Sequence, residues 1–243
     1  MPDHDKELMI MRVPTPGRPL SGLTILVVED SRLACDAIRL LCLRAGARIR
    51  RADCVRAARR HLQTYRPSVV ICDLGLPDAP GYSLISELSR APLRPPAILG
   101  MSGDPDLAAT SVEAGADGFL VKPVESLSAF QAAVLAALPA PEPRRAGLRL
   151  ALVGADDTIV PDALALRDDL AHAAEALDHA ADRAAIDYVA RFVRGVARIA
   201  HDGPLEDAAS ALVARAGTGR ETRGAVRSLT GLVRERIAAG VSF

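Results

Sequence analysis

The feature that most constrains the fold of this chain is an alternation. Between residues 23 and 138, five short β-branched or apolar runs take turns with five segments of helical periodicity. The runs are TILVV (24–28), ARIRRA (47–52), SVVIC (68–72), AILGM (97–101) and GFLV (118–121). The helical segments are 31–45, 55–65, 82–89, 106–115 and 124–138, and in the first of them Ile38, Leu41 and Cys42 fall on one face. Strands alternating with helices of this length predict an α/β domain, a (βα)5 doubly wound parallel sheet covered by helices on both faces. Its crossovers should be right-handed. The first, third and fourth runs are apolar almost throughout, as strands buried on both faces are. ARIRRA is the poorest strand of the five.

The alternation has clear limits. Residues 1–22 carry several Pro and Gly and read as a flexible lead-in, although LMIMRV (8–13) is apolar enough to pack. At the other end PAPEPRR (139–145) places three prolines in five residues, so 139–147 is expected to be a semi-rigid linker at a domain boundary. A second domain, 148–243, follows. LRLALV (148–153) and TIV (158–160) flank GADD and suggest a short hairpin at 148–160. From Pro161 the pattern is helical only, over 161–179, 182–200, 204–216 and 219–239. Pro161 and Pro204 stand at first-turn positions, where a missing N–H is tolerated. Gly203 and Gly217 read as punctuation between helices. Short connections between amphipathic helices predict an all-α four-helix bundle.

Composition narrows the function classes. Thirty Lys+Arg balance thirty Asp+Glu, so no global charge points to nucleic acid or to an anionic membrane, and neither is an expected partner. Aromatic residues make up 3% with no Trp, which argues against base-stacking platforms. The cysteines at 35, 42, 54 and 72 form no C-x-x-C pair and read as structural thiols in a reducing cytoplasm. The opening MPDHDKE is acidic and polar, unlike a signal peptide, and no apolar run approaches the ~20 residues of a membrane span.

In an open parallel sheet, ligands collect at the carboxyl ends of the strands. Those ends read Glu29-Asp30, Asp73, Ser102 and Lys122. Three carboxylates brought together repel one another. An all-oxygen site of this kind suits Mg²⁺. With the metal bound, a carboxylate can attack a phosphoryl group while a hydroxyl and an ammonium hold the remaining phosphoryl oxygens. Lys122 stands out because it and Lys6 are the only lysines among the thirty cationic residues. A flexible stem ending in a compact charge suits a small anionic pocket better than a planar guanidinium does.

The motifs ILVVEDS (25–31), DLGLPDAPG (73–81), MSG (101–103) and EAGADGFLVKP (113–123) make residues 23–138 resemble the receiver domain of two-component response regulators. The resemblance implies strand order 2-1-3-4-5 and Asp73 as phospho-acceptor. It implies a Mg²⁺ site of Glu29, Asp30, Asp73 and the backbone carbonyl of Gly75. It also implies Ser102 and Phe119 as switch residues, Lys122 as a phosphate ligand and a cis bond before Pro123. Such a protein is not a classical enzyme; its chemistry is Mg²⁺-dependent self-phosphorylation and dephosphorylation. Its partner would be a cognate sensor histidine kinase or a phosphotransfer protein, and a homodimer is compatible with the fold. Gly100 and Gly103 flank the Met-Ser pair and suggest a looser switch loop. Phe119 lacks the hydroxyl of a Tyr.

The stretch 182–213 resembles, less specifically, the central helix pair of histidine-phosphotransfer domains. Val193-Arg194-Gly195 fit the end of that family's motif, but Arg191 occupies the position of its phosphorylated His. A guanidinium offers no lone pair for phosphoryl transfer. The reading is therefore a phosphotransfer-like bundle without the chemistry. Its candidate binding face is Arg191, Phe192, Arg194, Gly195 and Arg198, directed at a receiver or a kinase. Two other outputs compete with it. One is a DNA-binding transcriptional regulator using the basic segment 220–237, although 144–243 holds fourteen Arg against fourteen Asp+Glu. The other is a relay intermediate using His172, His179 or His201.

Overall fold

The computed structural model describes residues 14–139, 163–180, 182–218 and 221–239. The proposed hairpin at 148–160, the linker from residue 140 onward and LMIMRV lie outside the described residues. By their internal contacts the residues fall into two units: one holds the sheet, the other holds Ser31–Asp36 with the later helices.

Around the sheet the chain runs β1 (Thr24–Val28), α1 (Arg32–Ala45, whose residues up to Asp36 count with the other unit), β2 (Arg48–Ala52), α2 (Val55–Thr64), β3 (Val69–Asp73), α3 (Gly81–Ser89), β4 (Ala97–Ser102), α4 (Leu107–Glu113), β5 (Gly118–Val121) and α5 (Leu127–Ala137). All five strands pair in parallel, in the order β2-β1-β3-β4-β5. This is the expected topology, with helix ends shifted by one to three residues. The apolar runs are buried because they lie centrally: every residue of β3 and β4, and all of β1 after Thr24, is inside. β2 is the edge strand, and its three arginines are exposed.

Two devices position the loops above the sheet. The first amides of α2, on Val55 and Arg56, donate to the Asp78 carboxylate at 2.9 Å each, while Cys54 Sγ accepts from Ala57 N at 3.4 Å. A residue in the loop after β3 thus caps a helix that starts after β2. At Gly81 a Cβ would lie 1.9 Å from the Asp73 carbonyl oxygen, so only glycine lets α3 begin this close behind β3.

The helical unit contains α6 (Ala163–His179), α7 (Arg183–Ile199), α8 (Gly203–Thr218) and α9 (Arg223–Ala239). Successive helices pack together, and α9 also packs on α6. Leu166, Leu170, Val193, Leu212 and Leu229 belong to one shared apolar core. Gly203 and Gly217 do not separate helices, as the sequence suggested; both lie within α8. Its first turn tolerates Gly203 beside Pro204 because Asp202 supplies the cap, accepting from Leu205 N at 3.1 Å. Within this same unit Asp169 is buried and fully engaged. It accepts from Ser31 Oγ at 2.7 Å, Arg32 N at 2.9 Å and Leu33 N at 3.0 Å.

Candidate functional site

The parallel sheet brings the five residues singled out by the sequence to one edge. Glu29 and Asp30 follow β1, Asp73 and Ser102 end β3 and β4, and Lys122 follows β5. Asp73 is in register with Met101, and the amide of Leu74 donates to the Met101 carbonyl at 3.0 Å, which extends the β3–β4 ladder past the site. On the other side Lys122 N donates to the Ser102 carbonyl at 2.8 Å. Strand pairing therefore fixes the spacing of Asp73, Ser102 and Lys122 before any side-chain contact is made.

Lys122 Nζ lies 2.7 Å from Asp73 Oδ1 and 2.8 Å from Glu29 Oε2. The second Asp73 oxygen, Oδ2, accepts from Gly75 N at 3.1 Å. Ser102 Oγ accepts from Asp104 N at 3.1 Å. Oxygens of Glu29, Asp30 and Asp73 all lie within 4.8 Å of one another. The peptide bond between Lys122 and Pro123 is cis.

Burial shapes the electrostatics. Desolvation raises Glu29 from 4.5 to about 7, against the pull of Lys122. Desolvation likewise raises Asp73 from 3.8 to about 6, with Glu29 adding to it. For Lys122 burial acts downward, but the attraction of Asp73, Glu29 and Asp30 outweighs it and holds the ammonium well above the usual lysine range. One buried cation faces three carboxylates, so the site retains demand for positive charge. An oxygen-only donor set in this arrangement fits a hard divalent cation such as Mg²⁺.

The switch region differs from expectation at Gly100. Rather than standing in a loop, Gly100 is a buried residue of β4. A Cβ there would fall 2.0 Å from Ser111 Oγ and 3.3 Å from the Phe119 ring, so the glycine admits α4 close to the sheet. Phe119 is half-buried against the apolar cluster of that face.

On α7 two arginines of the candidate face are paired with carboxylates. Arg191 Nε donates to Asp187 Oδ2 at 2.8 Å, and Arg198 Nε donates to Glu206 Oε1 at 2.6 Å. The Phe192 ring packs edge-on against His172, with centroids 5.7 Å apart, and borders the shared core. A Cβ on Gly195 would meet nothing within 4 Å among the described residues, so helix packing does not require glycine there. The Asp187–Arg191 pair was legible as an i,i+4 spacing. The caps made by Asp78 and Asp169 were not, since each joins residues far apart in sequence.

Comparison with known proteins agrees with this geometry. Residues 25–134 match the model of the response regulator receiver domain. The chain is similar to the KDP operon transcriptional regulatory protein KdpE of Escherichia coli (strain K12), with 29% identity over 99 residues, covering 41% of this chain and 44% of that protein. It is similar to the transcriptional regulatory protein KdpE of Mycobacterium tuberculosis (strain CDC 1551 / Oshkosh), with 31% identity over 113 residues, covering 45% of this chain and 50% of that one. The chain thus spans half or less of the length of these relatives. Among solved structures it is similar to a response regulator protein from Burkholderia pseudomallei with a phosphorylated aspartic acid, calcium ion and citrate. That match has 28% identity and a TM-score of 0.41, covering 48% of this chain and 66% of that one. By that family model, residues 25–134 form a response regulator receiver domain. Among the described residues no helix is long and apolar enough to cross a membrane.

Proposed function

We propose that the chain is a response regulator that accepts a phosphoryl group on Asp73 in the presence of Mg²⁺. The observation that carries this reading is the placement of Lys122 Nζ between Asp73 and Glu29 in a buried, oxygen-rich cleft. Glu29, Asp30 and Asp73 would hold the metal, with the Gly75 carbonyl, and the metal would neutralise charge developing on the transferred phosphoryl group. An Asp73 oxygen attacks phosphorus, and the bond from phosphorus to the donor's leaving atom breaks. Both Asp73 oxygens are engaged beforehand, by Lys122 and by Gly75 N. Lys122 then passes from the carboxylate to a phosphoryl oxygen, and Ser102 turns its hydroxyl to another. Phe119, whose ring lies near Gly100, would follow. The physiological donor would be a sensor histidine kinase or a phosphotransfer protein.

The test is intact mass after treatment with acetyl phosphate. One added phosphate should appear with Mg²⁺ and be absent after chelation and in Asp73→Asn. An adduct that persists in Asp73→Asn would refute the assignment.

For the output we propose that the four later helices form a histidine-phosphotransfer-like bundle without the phospho-accepting His. It would bind a receiver or a kinase through the surface around Arg191, under control of Asp73. The support is the open surface at Gly195 beside an arginine at the position where that fold presents its reactive residue. The curated relatives are named as transcriptional regulators, but their similarity covers half or less of their own length.

A further inference from the structure

Net charge conceals how the charge is distributed. Of the 28 residues from 39 to 66, nine are arginine, and Asp53 is the sole carboxylate. All nine arginines are exposed. They lie on adjoining elements: the end of α1, the edge strand β2 and the helix α2 that packs on β2. Arg44 and Arg48 flank the tight turn in which Gly46 N donates to the Leu43 carbonyl at 3.2 Å and Ala47 N to the Cys42 carbonyl at 2.8 Å. Arg48, Arg50 and Arg51 line the free edge of the sheet, and Arg56 and Arg60 continue the surface along α2. Arg59 is in an ion pair with Glu87.

The character of this surface selects its partner. Protein interfaces are built around an apolar core with aromatic anchors. Here Leu43 is the only large apolar residue of the segment that stands exposed. Addition of a partner strand to β2 is discouraged by the exposed arginines, which are a common device for blocking sheet edges. A single-stranded nucleic acid would want aromatic stacking platforms. The one aromatic of this kind, Tyr65, is half-buried and packs edge-on with His61 at 5.7 Å. What remains is a broad array of guanidinium groups without base-reading or apolar elements. That is the chemistry of phosphate-backbone binding, in which arginines fork onto phosphate oxygens and affinity comes from charge.

We propose that the β2 edge of the receiver domain is a sequence-independent binding surface for duplex DNA. It does not depend on the proposed output of the helices. The experiment is fluorescence anisotropy of the full chain with two unrelated duplexes of about 20 base pairs. Both should bind with similar affinity, and for about five phosphate contacts that affinity should fall about 10²–10³-fold between about 50 and 200 mM salt. The combined variant Arg48→Glu, Arg50→Glu, Arg51→Glu should weaken binding at least about tenfold, while Arg48→Lys, Arg50→Lys, Arg51→Lys retains most of it, since point charges suffice for counterion release. Both variants should accept phosphate from acetyl phosphate at the parent rate, which shows that the domain is intact. The proposal is overturned by absence of duplex binding at low salt. It is equally overturned if the charge-reversed variant binds as the parent does, or if Arg223→Glu with Arg227→Glu on α9 abolishes binding instead. Tighter binding of polyglutamate than of duplex would reassign the surface to an acidic protein.

Discussion

The ammonium of Lys122 sits 2.7 Å from Oδ1 of Asp73, with only 12% of the lysine side chain exposed. In a chain that writes nearly every other cation as Arg, this contact explains the exception. The site holds a compact charge on a flexible stem between two carboxylates, and under the proposed function that charge would change partners when phosphate arrives. Lys122→Arg is expected to slow phosphorylation by acetyl phosphate at least about tenfold, although charge is conserved, because a planar fork cannot serve two carboxylates and then a phosphoryl oxygen from one position. A time course of intact mass checks this. A parent-like rate would show that charge alone suffices.

Burial of Glu29 and Asp73 makes stability depend on pH and on any cation bound beside them. Glu29 is raised by desolvation from 4.5 to about 7, and Asp73 from 3.8 to about 6. A carboxyl with a raised folded-state pKa contributes stability that is fully present below its unfolded value and lost as pH rises through the folded value. Without a divalent cation the contribution of these two groups should therefore decline between about pH 4 and pH 7. Mg²⁺ competes with protons for the same oxygens, so its effect should grow across that window. At about 100-fold over its Kd it should add about 2.7 kcal/mol near pH 8 and much less near pH 5. Thermal melts with Mg²⁺ and with chelator at the two pH values measure the difference. An equal increment at both would show that the ion binds elsewhere.

Ser111 is fully buried, and among the described residues its hydroxyl has no hydrogen-bond partner. It occupies the space that Gly100 leaves open. Ser111→Ala removes an unsatisfied polar group and should be neutral or stabilising by up to about 1 kcal/mol. Gly100→Ala should cost about 1–3 kcal/mol by overpacking, and Ser111→Gly in the same chain should recover part of that. Urea unfolding of Gly100→Ala, Ser111→Gly and the two combined, beside Ser111→Ala, gives the comparison, and strict additivity of the double variant would mean that the two residues do not compete for one space.

Asp78 holds the amides of Val55 and Arg56 at 2.9 Å each. Burial acts to raise its pKa, but these amide bonds outweigh it and leave the carboxyl below the usual range. Asp78→Ala should cost about 1–2 kcal/mol, as loss of a helix cap does, and Asp78→Asn about half of that. Denaturation midpoints decide it, and an unchanged midpoint for Asp78→Ala would show that water replaces the carboxylate.

What the sequence disclosed and what it withheld follow from the range of the interactions. β1, β3 and β4 were legible because burial on both faces leaves an apolar run without alternation. The site was legible because a parallel sheet collects strand ends, so Glu29, Asp30, Asp73, Ser102 and Lys122 had to meet. Asp78 and Asp169 read as ordinary polar residues because their partners lie more than twenty residues away in the chain. Gly203 and Gly217 misled because a glycine marks a helix end only where no neighbouring cap or packing holds the turn. Gly100 misled in the same way, since its neighbours in the folded sheet, not in the sequence, decide whether glycine means freedom or close contact.

The Arg191 surface supplies the last expectation. If the helical unit engages a receiver or a kinase through it, the contact must survive the pairing of Arg191 with Asp187 at 2.8 Å. That pair is exposed and worth about 0–1 kcal/mol, so a partner's carboxylate can replace Asp187 at little cost. Most of the affinity would have to come from apolar contact near Phe192 and from close approach at Gly195. Arg191→Glu should therefore weaken partner capture by about three- to tenfold, and Gly195→Leu, which fills the open surface, by more than that. Beryllofluoride, as a mimic of the phosphoryl group on Asp73, should change capture by the parent chain, and Asp73→Asn should abolish that change. Binding of a purified cognate kinase or receiver, measured with and without beryllofluoride for all four chains, reads these effects together. Equal binding by the parent, Arg191→Glu and Gly195→Leu chains would show that this face of α7 is solvated surface and that the output lies elsewhere.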